Sequence, residues 1–356
     1  MWWLSTRWRA LLLSLLAGSG VTAASAEGEM VRHLPGQPLT ALFADGGRII
    51  ARLGTPQGPD FYSLGLHGDK AFLTRLPNYR RPAMKRRNDM LPDGVITRGN
   101  RDIAAAWLTG PTQRYDHGVL GDAIEASGVR VQKRDGQVLS FTLPKDSVFE
   151  DRRARLVDLD GDGGDELLVV RSYLAAGAAL AVLRPKNDAL VLVAETGPIG
   201  LPHRWLNPAG VADFDGDGRL EAAVVVTPHI GGTLKFFELR KNRLRLEWLG
   251  EEWSAPGFSN HAMGSPIQTM AVAVDWGQAW GKGQVLHLPN ARRTGLRQVF
   301  FKDGGYRIRD LARHERHIVT ALFAADLDED GWKEVVYGLG NGELVILRRS
   351  PAPKSQ

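Results

Sequence analysis

Apolar positions along this chain fall in short β-rich runs, LLVV at 167–170, AAVVV at 222–226 and VVYG at 335–338. No long stretch keeps a helical period, so the pattern predicts an all-β protein. Clusters of Asp, Asn and Gly punctuate the runs: Gly68-Asp69, Arg134-Asp135-Gly136, Lys186-Asn187-Asp188, Arg240-Lys241-Asn242 and Asp303-Gly304-Gly305. Such residues tolerate the tight or left-handed backbone of a hairpin turn, so each cluster marks an antiparallel strand pair.

The runs repeat. Residues 158–168 read DLDGDGGDELL, 213–223 read DFDGDGRLEAA and 326–336 read DLDEDGWKEVV. The first two acids are 55 residues apart, and the third follows 113 later, about twice that distance. A worn copy lies between them, TMAVAVD at 269–275 against TALFAAD at 320–326. Two more lie upstream: TALFAD at 40–45, and NRDIAAAWLTG at 100–110, taken as the leading strand of the second unit. A period near 50 residues signals a propeller or array, and four strands per unit make a propeller blade. The reading is a β-propeller of six four-stranded blades over residues 27–350, with seven as the alternative and a polar tail at 351–356. The last unit ends at ELVILR (343–348) one strand short, and Met30–Leu34 (MVRHL) offers the missing strand. Their pairing closes the ring and removes an exposed edge.

The acidic loops have a chemistry of their own. Asp158, Asp160, Asp162, Gly163 and Glu166 stand at loop positions 1, 3, 5, 6 and 9. The second loop has Asp213, Asp215, Asp217, Gly218 and Glu221 there; the third has Asp326, Asp328, Asp330, Gly331 and Glu334. Alternate carboxylates in a tight turn converge on one point, and hard oxygens at that density suit calcium. Position 7 (Gly164, Arg219 or Trp332) would add a backbone carbonyl. An EF-hand needs a bidentate Glu at position 12 and a following helix. Position 12 is Val169, Val224 or Tyr337, and strand formers follow, so that reading fails.

The motif D-x-D-x-D-G-x-x-D/E running into a strand resembles the FG-GAP/VCBS repeats of integrin-α-like propellers. The resemblance implies that each complete loop binds calcium structurally, between the first two strands of a blade. It implies about three ions, and none in the first, second and fifth units, which lack the acids.

Composition adds a location. Arg7 and Arg9 precede an apolar run at 10–17 and an Ala24-Ser25-Ala26 cleavage site, the grammar of a signal peptide spanning residues 1–26. No later stretch is apolar for long enough to span a bilayer, so an exported protein, periplasmic or secreted, is expected. Cleavage takes two arginines from a net charge of +5. The near-balance that remains gives no reason to expect nucleic acid. The chain has no cysteine, which excludes disulfides, thiolate metal sites and a Cys nucleophile.

Candidate chemistry beyond the loops is sparse. No G-x-S-x-G, H-E-x-x-H, P-loop or dinucleotide fingerprint occurs. Histidines precede several leading strands: His33, His203 (beside Arg204), His261 and His314. Gathered at a channel mouth, they would line a ligand pocket. The expectation is a binding module for a protein or glycan. A metal-dependent hydrolase or lyase with a histidine-lined site is the alternative.

Overall fold

The structure is a computed structural model that describes residues 30–81, 86–242 and 245–349. The signal-peptide reading, the tail and the turn after Asn242 fall outside the described residues. No helix among the described residues is long and apolar enough to cross a membrane.

The protein is all-β. A leading strand β1 (Met30–His33) is followed by a first sheet of β2 (Leu39–Asp45), β3 (Arg48–Thr55), β4 (Gly58–His67) and β5 (Lys70–Arg75). The second comprises β6 (Thr97–Arg98), β7 (Ile103–Thr112), β8 (Glu125–Lys133) and β9 (Val138–Thr142). A short strand β10 (Ser147–Phe149) then pairs with both neighbours. It thereby fuses the second sheet to the third, made of β11 (Arg155–Val157), β12 (Glu166–Tyr173), β13 (Gly177–Lys186) and β14 (Ala189–Glu195).

The fourth sheet is β15 (Leu206–Ala212), β16 (Glu221–Val226), β17 (Thr233–Asn242) and β18 (Arg245–Pro256). The fifth is β19 (Val272–Val274), β20 (Val285–Pro289), β21 (Gly295–Lys302) and β22 (Gly305–Arg313). The sixth runs β23 (Phe323–Ala325), β24 (Glu334–Gly338) and β25 (Leu344–Leu347), and takes β1 as its fourth strand. That last pairing is antiparallel, Met30 opposite Leu347 through His33 opposite Leu344.

Sequence explains the local choices. The second strand of the later sheets is apolar throughout because both its faces are covered: β16, β20 and β24 bury nearly every residue, as does β12 up to Tyr173. Outer strands such as β5 alternate, with one face in water. Turns sit where Asp, Asn and Gly mark them. The β21–β22 hairpin places Asp303 and Gly304 both at positive φ (52° and 74°), the mirror-image turn that matches strand twist.

Five apolar layers hold successive sheets together. One joins the second to the third (Leu108, Phe149, Val169), one the third to the fourth (Leu168, Trp205, Val224), and one the fourth to the fifth (Phe236, Leu286). Trp280 and Tyr337 lie between fifth and sixth, and Leu53 and Ile346 between first and sixth. Among the described residues no such cluster links the first sheet to the second. One expectation is corrected here: the run at 100–110 lies mostly in the second strand of its sheet, β7, and the leading strand is the two-residue β6.

Candidate functional site

Each complete acidic loop joins the first two strands of its sheet, β11 to β12, β15 to β16 and β23 to β24. The three share one internal wiring. The glycine at position 6 donates its N–H to the first Asp, at 3.1 Å for Gly163 to Asp158, 3.0 Å for Gly218 to Asp213 and 3.0 Å for Gly331 to Asp326. It does so from a φ near +90°, which only glycine adopts freely. The position-9 Glu accepts the N–H of position 2 through one oxygen: Leu159 to Glu166 at 2.8 Å, Phe214 to Glu221 at 2.6 Å and Leu327 to Glu334 at 2.8 Å.

These turns assemble carboxylates that cannot satisfy one another. Ligand oxygens of Asp158, Asp160 and Glu166 lie within 4.8 Å of each other, as do those of Asp326, Asp328 and Glu334. In the middle loop four converge: Asp213, Asp215, Asp217 and Glu221. Asp162 and Asp330, the position-5 acids of the outer loops, fall outside these sets. Asp162 is turned instead to the Arg184 guanidinium, 2.5 Å away. The glutamates are buried, and burial followed by neighbouring acids pushes their carboxyls up, Glu166 and Glu334 to about 7 and Glu221 to about 8.

Each loop also leaves buried carboxylate oxygen without a hydrogen-bond partner: Asp158 Oδ1 and Asp165 Oδ2 in the first, Glu221 Oε1 in the second and Asp328 Oδ1 in the third. A buried, unpaired carboxylate oxygen is costly, and a cation is the partner that would satisfy all the converging atoms together. The donor set is all oxygen, so the three clusters could each hold a hard metal ion, with the position-7 residues Gly164, Arg219 and Trp332 at the loop rim.

The histidines divide into two places. His203 stacks on Tyr115 (5.1 Å between ring centres), lies 5.3 Å from the His117 ring, and meets Asp116 through Nε2 at 3.0 Å. His117 bonds the buried Glu150 at 2.6 Å, and Ser172 donates to the other oxygen of that carboxylate. Trp205 donates its indole N–H to the Glu150 carbonyl at 3.0 Å. Its ring packs against His261 (4.8 Å) and stacks on His229 (6.0 Å). His261 donates from Nε2 to the Ser265 carbonyl and accepts at Nδ1 from His229, both at 2.8 Å. Burial holds both imidazoles down, to about 4. Glu125, buried among Glu150, Asp93, Asp122 and Asp151, is pushed up to about 9 by desolvation and then by those acids.

His314 lies elsewhere, between Tyr337 (2.9 Å) and the Arg32 guanidinium (3.3 Å). It borders two clefts of about 330 and 450 Å³ that also share Arg313. His33 lies in β1 opposite Leu344, and the Arg204 guanidinium turns to the His203 carbonyl at 3.3 Å. So the expected pocket set is dispersed: His261 packs against Trp205, His203 and Arg204 lie with Tyr115 and His117, and His314 keeps other neighbours. His229, Glu150 and Glu125 lie inside strands and loops with no motif around them, so the sequence alone does not single them out.

Residues 158–224 match the family model of an FG-GAP-like repeat. That stretch carries FG-GAP-like repeat sequence. The matched stretch contains the first two loops and the strands between them. No curated protein matches the sequence. Two solved structures are similar in outline: an exotype rhamnogalacturonan lyase, YesX, and the PL11 rhamnogalacturonan lyase of Bacillus licheniformis. The first is 13% identical at a TM-score of 0.40, over 87% of this chain and 72% of that one. The second is 12% identical at 0.42, over 88% and 66%. At such scores neither likeness bears on what this protein does.

Proposed function

We propose that the protein is an exported, calcium-stabilised β-propeller of six four-stranded blades that acts as an interaction module for a protein or glycan. The observation that carries the reading is the repeated loop: the same hydrogen bonds three times, each time with a bare carboxylate oxygen among converging acids. Calcium suits such loops because it takes six to eight oxygens in flexible geometry, including waters and backbone carbonyls. Asp158, Asp160 and Glu166 would hold one ion, Asp213, Asp215, Asp217 and Glu221 a second, and Asp326, Asp328 and Glu334 a third. Each ion would tie the first two strands of a blade.

Four four-stranded sheets and a nine-stranded sheet that β10 fuses from two such units, packed at five seams, support the propeller, as does the β1–β25 pairing. The FG-GAP-like match supports an interaction role. A partner surface is offered by the clefts beside His314, lined by Arg32, Arg292, Arg313 and Arg316. Asp310, Glu315 and Glu343 line the same clefts, and Asp310 and Glu343 pair with Arg297 and Arg32, so the arginines outnumber the acids there and favour a ligand bearing acidic groups. The hydrolase or lyase alternative needs histidines to share an ion. Among the described residues, the groups converging within reach of one ion are the three acidic loops.

The test is binding of labelled mature protein to a glycan array and to purified cell-envelope proteins, with calcium and with chelator. Saturable binding in calcium that is lost in the Arg292→Glu/Arg313→Glu double variant, at unchanged melting temperature, is expected. Absence of saturable binding to either class in calcium would overturn the interaction reading.

A further inference from the structure

We propose that the three loops are unequal, and that the middle one, completed by Glu238 from the neighbouring strand, is the tightest calcium site. The inference rests on the reading that the loops bind calcium, and it concerns residues that lie outside the repeat motif.

Strand register brings a third-strand residue opposite the position-9 Glu of each loop. In the fourth sheet Glu221 pairs directly with Glu238. In the third sheet the register Leu167 opposite Leu183 puts Arg184 at the equivalent place, one step on, opposite Glu166. In the sixth, Val335 opposite Leu347 puts Arg348 opposite Glu334. One structural position is thus an acid in the middle loop and a guanidinium in the outer two.

The side chains act accordingly. Arg184 enters the first loop, with nitrogens 3.1 Å from Asp160, 2.5 Å from Asp162 and 3.8 Å from Glu166. A second guanidinium, Arg101, stands 3.8 Å from Asp158. Arg348 approaches Asp328 at 3.5 Å in the third loop. These cations already meet part of the demand that a metal would meet, and they repel an incoming divalent ion.

The middle loop has the opposite balance. Glu238 is almost wholly buried and its charge acts on Asp215. Arg219 pairs with Asp217 at 2.5 Å and with Glu238 at 2.6 Å, but it does so from an exposed position at the loop rim. All four loop acids, Asp217 included, still converge here, against three in each outer loop. Glu221, fully buried, aims an unpartnered oxygen among them. Ligand charge count tunes the affinity of such loops, so the site with the most converging carboxylates and a buried acid behind them binds first. The first loop, with two guanidinium groups, binds last.

The experiment is calorimetric titration of the calcium-stripped mature chain with calcium chloride. The wild type should give one tight event followed by weaker ones. Glu238→Gln should weaken the tight event by about 10- to 100-fold, the range found for groups that orient metal ligands, and leave the weak ones in place. Arg184→Gln should strengthen one of the weak events. This gain-of-affinity arm stands even if Glu238→Gln does not fold, and circular dichroism reports on that. Three equal affinities, a tight event unmoved by Glu238→Gln, or no gain from Arg184→Gln overturns the ranking while leaving calcium binding intact. No calcium binding at all in the wild type overturns both readings.

Discussion

Removing calcium should lower the melting temperature by an amount that the three loops set. A ligand that binds only the folded state stabilises by RT ln(1 + [L]/Kd). Exported calcium modules have dissociation constants of about 10⁻⁴ to 10⁻³ M, so 5 mM calcium contributes about 1 to 2.3 kcal/mol per loop. Three loops give about 3 to 7 kcal/mol. With an unfolding entropy of about 2.1 cal/mol/K per residue, that corresponds to a shift of about 5–10 °C for the mature chain. The assay is differential scanning calorimetry in 5 mM calcium, in excess chelator and in 5 mM magnesium at matched ionic strength. Magnesium demands near-octahedral geometry and sheds water reluctantly, so it should recover little of the shift. A melting temperature that moves by less than about 1 °C on chelation would refute the reasoning, as would full recovery by magnesium.

Other consequences follow from buried groups and from strain. The Glu125 carboxyl titrates near 9 in the fold, above its ordinary value, so its neutral form contributes stability that is lost as pH rises from 4.5 through about 9. Wild type and Glu125→Gln should therefore melt alike only near pH 4, below the ordinary value of 4.5, and the variant should hold its melting temperature increasingly better as pH rises from 4.5 to about 9. His229 and His261 titrate near 4, below the ordinary value of 6.5, so stability should fall as pH drops from 6.5 toward 4. Tryptophan fluorescence, which senses Trp205 between these rings, should change over that window and change less in His261→Gln. Position 4 of the loops is left-handed, with Gly161 and Gly216 at φ of 70° and 75° but Glu329 at 61°. A side chain costs about 1–2 kcal/mol there, and glycine's extra unfolded entropy offsets part of it. Glu329→Gly should thus raise stability by up to about 1 kcal/mol in urea unfolding, and a loss would contradict the strain argument.

Features written in contiguous residues were legible. The three loops, the hairpins at Gly68-Asp69 and Asn187-Asp188, and the pairing of MVRH with LVIL each rest on local turn chemistry or on an unpaired edge. The leading strand of the second sheet was not, because β6 has two residues and cannot show a period. The bridging strand β10 is as short, and its role depends on partners on either side. In the loops, the motif named the position-5 acids but could not reveal that Arg184 draws Asp162 aside. That arginine is 22 residues away, and only strand register places it there. His229 and His261 likewise meet through packing around Trp205, and neither stands in a motif.

The most direct test of the central claim is the metal content of mature protein purified without chelator or nickel resin and dialysed against 5 mM calcium chloride, measured in excess over the dialysate by inductively coupled plasma mass spectrometry. The account predicts about three calcium ions per chain, with the loss of one in Asp215→Asn. A chain that carries no calcium, or a stoichiometric transition metal in its place, would contradict it.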